Sequence, residues 1–159
     1  MSLDRFKTAQ AQPSSGFTTA IRELRAGQKI SHWIWYIFPQ LATLGRSSTA
    51  QFYGIKDLRE AQDYLLDAVL RERLMQITAV VDQQLSQGLE LESVFGGSTD
   101  SLKLVSSLTL FQAAADSFAA EHPGLDLTDF SYRCEHILMM TGQQGYPPCV
   151  LTRSQLVGD

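Results

Sequence analysis

The strongest constraint in this chain is a stripe of large aliphatic residues, Leu70, Leu74, Ile77, Val81 and Leu85, spaced three or four apart. Such spacing keeps all five on one face of a helix with 3.6 residues per turn, whereas a strand would throw them to alternate sides. No Gly or Pro interrupts the stripe until Gly88, which stands where a helix C′ residue is expected. A helix this one-sided has to bury its stripe against other elements, and the rest of the chain offers helices for the purpose.

Phe17, Ala20, Ile21 and Leu24 repeat the period, with Ser15 as N-cap and Gly27 as stop. Asp57 and Glu60 have capping-box spacing and open a stretch carrying Leu58, Ala61 and Leu65. Leu104, Leu108, Phe111, Ala115 and Phe118 form a further stripe, capped by Ser98 or Thr99 and stopped by His122-Pro123-Gly124. Shorter helices are expected near residues 4–11, 48–53 and 128–140, and Pro13-Ser14-Ser15-Gly16 and Gly96-Gly97-Ser98 read as turns. No stretch alternates at period two, and no Asn-Gly or Asp-Gly marks a hairpin. The one strand-like run, Trp33 to Phe38, is read as a buried helical turn ended by Pro39, because a lone strand has nothing to pair with. The expected fold is an all-α, compact single domain of about six or seven helices, several short, over residues 4–142. Gly145, Pro147 and Pro148 make residues 143–159 a surface or partly frayed tail.

With 159 residues, 44% of them hydrophobic and 19% charged, the chain can bury a substantial core and is not disordered. A net charge of -4 and a pI near 5.3 argue against nucleic acid, which needs a surplus of Lys and Arg on one face. The longest apolar run, Trp33 to Phe38, is far short of the roughly 20 residues that span a bilayer, so no membrane is expected. Met1-Ser2-Leu3-Asp4-Arg5 starts no secretory signal. Cys134 and Cys149, too few for a disulfide framework, are then read as reduced thiols in a cytoplasmic protein.

Two segments concentrate distinctive residues: Ser31-His32-Trp33-Ile34-Trp35-Tyr36-Ile37-Phe38-Pro39-Gln40 and Lys103-Leu104-Val105-Ser106-Ser107-Leu108-Thr109-Leu110-Phe111. Together with Arg5-Phe6, Ala9-Gln10 and Val94-Phe95-Gly96, they make the chain resemble a bacterial and fungal family of unknown function. That family is catalogued under the number 1810 and loosely labelled calpastatin-like. The resemblance runs from about residue 4 to about residue 140. Leu108 stands where the family more often has Met, and the last eleven residues fit poorly. The resemblance implies a compact multihelical fold and brings no reaction, cofactor or catalytic residue. The calpastatin label finds no support in this composition, since such an inhibitor would be long, polar and disordered.

His32 is the leading site candidate, because an imidazole titrating near neutrality can act as acid or base. Trp33 and Trp35 could stack on a planar ligand and Gln40 could orient it. The bland alternative is an aromatic knot in which His32 bonds a backbone carbonyl. Lys103, Ser106 and Ser107, at i, i+3 and i+4, share a helical face, and Thr109 lies near them. A nucleophilic Ser–Lys pair there would need a desolvated Lys, whereas small serines equally serve close helix packing. Cys134, His136 and Cys149, with His122 and Glu135, match no zinc spacing, so neither a metal nor another cofactor is expected. Gly45-Arg46-Ser47-Ser48 is not a nucleophile elbow, and Gly96-Gly97-Ser98-Thr99 lacks the ending of a phosphate loop. Arg22, Arg25, Lys29, Arg71 and Arg73 read as solvated faces. The reading carried forward is a small-molecule-binding or enzymatic domain with a pocket lined by His32, Trp33, Trp35, Gln40, Lys103, Ser106, Ser107 and Thr109. Its alternative is a non-catalytic interaction or structural module in which those residues are core.

Overall fold

The stripe helix starts where Asp67 makes it start. Its carboxylate accepts the Val69 and Leu70 N–H groups, each at 3.1 Å, and so ends one helix and opens the next. This geometry belongs to a computed structural model that describes residues 2–158. In chain order the α-helices are α1 (Asp4–Gln10), α2 (Phe17–Arg25), α3 (Ile34–Ile37), α4 (Ser48–Phe52) and α5 (Leu58–Leu66). They continue as α6 (Ala68–Ser86), α7 (Leu91–Phe95), α8 (Ser98–Glu121), α9 (Thr128–Gln143) and α10 (Val150–Gly158), with a 3-10 turn at Ala42–Leu44. The fold is all-α: 70% helical, without a strand among the described residues, and seven of its helices have seven residues or more.

Two helices exceed the expectation. Leu91, Val94 and Phe95 do carry helical spacing, but α7 is too short to show a repeat. Helix α10 (Val150–Gly158) restarts the chain beyond Pro147-Pro148, within the stretch expected to be a surface or partly frayed tail. It packs on α8 yet stays superficial, with Val150, Leu151 and Val157 exposed.

The caps also differ in detail. Ser15 does not cap α2; Gly16 does, and the Ser15 hydroxyl bonds the Gln12 side chain at 3.0 Å. Gly16 is required there, because a Cβ would lie 2.3 Å from the Gln12 carbonyl oxygen. Helix α8 begins after Gly97, with neither Ser98 nor Thr99 as cap, because Gly96 (φ 78°) and Gly97 (φ 131°) make the turn in a region side chains avoid. Asp57 caps Glu60 at 2.9 Å as expected, but Glu60 reaches back to the Lys56 N–H and pairs with Arg5 at 3.2 Å.

Helix α8 is the axis of the molecule, touching α3, α5, α7, α9 and α10. Beyond the expected Leu104, Leu108, Phe111, Ala115 and Phe118, it buries Val105, Leu110 and Ala114, so apolar residues cover more than one side. That is the pattern of a helix enclosed by others. Two aromatic groups flank it. Tyr64 bridges Phe6 and Phe111 with ring centroids 5.2 and 5.0 Å away. Trp33, Phe38 and Phe95 form a triangle with centroid separations of 6.0 to 6.5 Å. The run Trp33 to Phe38 is a buried helical turn, as its sequence predicts.

Candidate functional site

Gly27 (φ 88°) ends α2 and turns the chain back alongside it, which brings residues 29–33 against Glu23. Glu23 is 8% exposed. Its Oε1 accepts the Ile30 and Ser31 N–H groups at 2.8 and 2.9 Å and the Trp33 indole N–H at 2.9 Å. Its Oε2 accepts the Ser31 hydroxyl at 2.6 Å. Burial pushes the carboxyl up, but these donors outweigh it and bring its pKa down to about 2.

Lys29 corrects its expectation as a solvated residue. Its side chain is 6% exposed, and Nζ donates to the Ser31 carbonyl at 2.6 Å and pairs with Asp100 at 2.8 Å. The same ammonium lies 4.9 Å from the centre of the Trp33 ring, and the Lys29 N–H donates to the Val94 carbonyl at 2.7 Å. Arg71 and Arg73 are also engaged, with Leu65 and Leu66 carbonyls and with Gln10 respectively, while Arg22 and Arg25 face solvent.

The candidate residues divide into three places. His32 is exposed, and its carbonyl lies 3.2 Å from the Tyr36 hydroxyl. Trp33 is fully buried in the aromatic triangle. Trp35, Gln40 and Lys103 do meet: they border a cleft of about 10 Å³, with Lys103 Nζ 5.1 Å from the centre of the Trp35 ring. That volume admits roughly one water molecule. Ser106, Ser107 and Thr109 are buried elsewhere on α8. Ser107 Oγ has no hydrogen-bond partner, whereas the Thr109 hydroxyl donates to Val105 at 2.7 Å and accepts the Cys149 N–H at 3.0 Å. Larger concavities, about 420, 370, 360 and 340 Å³, open beside Gln62 and Ser117, beside Asp116 and Glu135, beside Met139 and Arg153, and beside Glu92 and Tyr146, and touch none of these groups.

Cys134 is buried on the inner side of α9, where desolvation and the Asp116 charge raise its thiol far above the ordinary value. His136 Nδ1 lies 2.7 Å from Asp82, and no group of three or more His, Cys, Asp or Glu gathers for a metal among the described residues.

Residues 1–126 match the family described as "Protein of unknown function (DUF1810)". The chain belongs to that family. No curated protein matches this DUF1810 member. It is similar to the crystal structure, at 1.38 Å, of the conserved hypothetical protein Rv1873 from Mycobacterium tuberculosis. The two share 38% identity with a TM-score of 0.76, over 98% of this chain and 96% of that one. The family match encloses Ser31–Gln40 and Lys103–Phe111, and the structural likeness extends over nearly the whole chain.

Glu23 and Lys29 hold the polar network around Ser31 together and were not among the expected site residues. For Glu23 a signal existed: it falls three residues after Ala20, on the flank of the α2 stripe, where a carboxylate is bound for partial burial.

Proposed function

We propose that this DUF1810 member is a non-catalytic protein-interaction module, in which Trp33, Ile34, Tyr36, Ile37 and Phe38 are core and the loop around His32 presents a surface. One observation carries this reading. Glu23 takes up the polar groups of Ser31 and Trp33 internally, and the cleft left beside Trp35 holds about 10 Å³. Ligand sites for small molecules are typically ~300 Å³ or more. Ile30, 74% exposed, and His32 stand on a loop whose backbone is fixed from below, which spares a partner the ordering cost of a flexible loop. A protein partner in a reducing, cytoplasmic setting suits the net charge of -4 and the two free thiols. No described helix is long and apolar enough to cross a membrane.

A second reading keeps a small-molecule site. Lys103 covers the Trp35 ring, and its departure would bare an indole face beside Gln40. A photo-crosslinking amino acid at position 32 should trap one discrete protein in cells, and the same group at exposed Glu72 should trap none. Absence of any specific adduct at position 32 would refute the module. A metabolite that raises the melting temperature of the native protein, but not of a Trp35→Ala, Lys103→Ala double variant, would install the pocket instead.

A further inference from the structure

Five of the ten large apolar side chains that stay exposed among the described residues belong to the last two helices. Four of them fall into two stripes that share one pattern. On α9, Tyr132, Glu135 and Met139 stand at i, i+3 and i+7; on α10, Val150, Arg153 and Val157 repeat that spacing. Residues so spaced share one helical face, and all six are exposed. The opposite faces anchor the two helices, through Cys134, Ile137 and Thr141 on α9 and Thr152 on α10. A groove of about 360 Å³ is lined by Glu135 and Met139 from α9 and by Pro148 and Arg153 from the α10 side. Each stripe therefore presents one charge between two apolar residues, and the two charges are opposite. Among the described residues, neither Glu135 nor Arg153 has an ion-pair partner within the chain.

Apolar side chains gathered on one exposed face mark a contact surface. A face that carries an acidic stripe beside a basic one is complementary to itself under a two-fold rotation. We propose that this face joins two copies of the chain in an isologous dimer, with Glu135 of each copy facing Arg153 of the other. The axis passes through the groove, so the apolar residues that flank one charge meet those that flank the other. A foreign partner would have to match both charges and both apolar stripes, whereas a second copy supplies that pattern by symmetry. The apolar contacts supply the attraction, and the two charge pairs fix the register and exclude other pairings. No residue of the His32 loop lines the groove, and the pairing does not depend on the partner proposed for that loop.

Sedimentation velocity of the full chain over a wide range of concentration tests the pairing. A species of twice the 17.7 kDa monomer mass should grow as concentration rises; a monomer at every concentration overturns the proposal. Glu135→Arg and Arg153→Glu should each weaken the dimer by roughly tenfold or more, because both symmetric contacts become like-charged. The two variants mixed in equal amounts should dimerise again, since every contact between unlike copies then joins opposite charges. An ion pair confined to one chain cannot produce that rescue. Circular dichroism checks that each variant keeps its helices. If either reversal fails to fold, the double variant Met139→Ser, Val157→Ser decides, and it should shift the equilibrium towards monomer. A dimer that ignores these substitutions, or a mixture of the two reversals that stays monomeric, overturns the proposal.

Discussion

Replacing Glu23 by Gln keeps the shape of the clamp and removes its charge. Gln Oε1 can still accept from Ile30, Ser31 and Trp33, and its amide can donate to Ser31, whose hydroxyl turns to receive it. What disappears is the proton linkage. The native carboxyl falls from its ordinary 4.5 to about 2, so its ionised form favours the folded state. At about 1.4 kcal/mol per pH unit, this is worth about 3 kcal/mol above pH 5 and less than half of that at pH 3. The contribution is complete above 4.5 and is lost as pH falls through that value towards 2. The stability advantage of the native protein over Glu23→Gln should thus narrow by about 1–2 kcal/mol between pH 6 and pH 3, once solvent screening is allowed for. Urea unfolding at each pH, followed by tryptophan fluorescence, measures it. Parallel stability curves for the two proteins would refute the clamp as an electrostatic device.

Leu108→Ala should cost about 2–5 kcal/mol, because the side chain is fully buried on the central helix; a loss within about 0.5 kcal/mol would contradict that placement. Iodide should quench only one of the two tryptophans, since Trp33 is fully buried and Trp35 is half-exposed. Trp35→Phe should abolish the quenching, and a quenchable indole remaining in that variant would mean that the aromatic triangle is open.

The fold was legible where periodicity persisted for several turns. The stripes of α2, α5, α6 and α8 each state a buried face through spacing alone, and the turn at Trp33 to Phe38 follows from its apolar run and Pro39. Helix α7, at five residues, is too short to show a repeat, and α10 lies behind two prolines, so neither carries enough pattern. The site was less legible because its bonds join residues distant along the chain. That Trp35, Gln40 and Lys103 share an edge follows from the apolar residues beside them, which draw the two segments together. That Thr109 meets Cys149 depends on where α10 lands, which no local pattern encodes. Lys29 misleads for a similar reason: its charge reads as solvated until Asp100, seventy-one positions on, arrives to pair it.

That separation sets an order of assembly. The Ser31 loop is anchored by Glu23 from its own neighbourhood, but also by the Val94 carbonyl and the Asp100 carboxylate, which are synthesised much later. A chain emerging at roughly 5–20 residues per second leaves the Trp33 indole without Phe95 for several seconds. During that interval the N-terminal third carries an apolar aromatic surface with no partner, and the corner between α7 and α8 closes over it only at the end of a long loop. The nascent N-terminal third is therefore the stretch of this protein with most to gain from a chaperone, and substitutions at Val94, Phe95 or Asp100 should lower the yield of folded protein in cells.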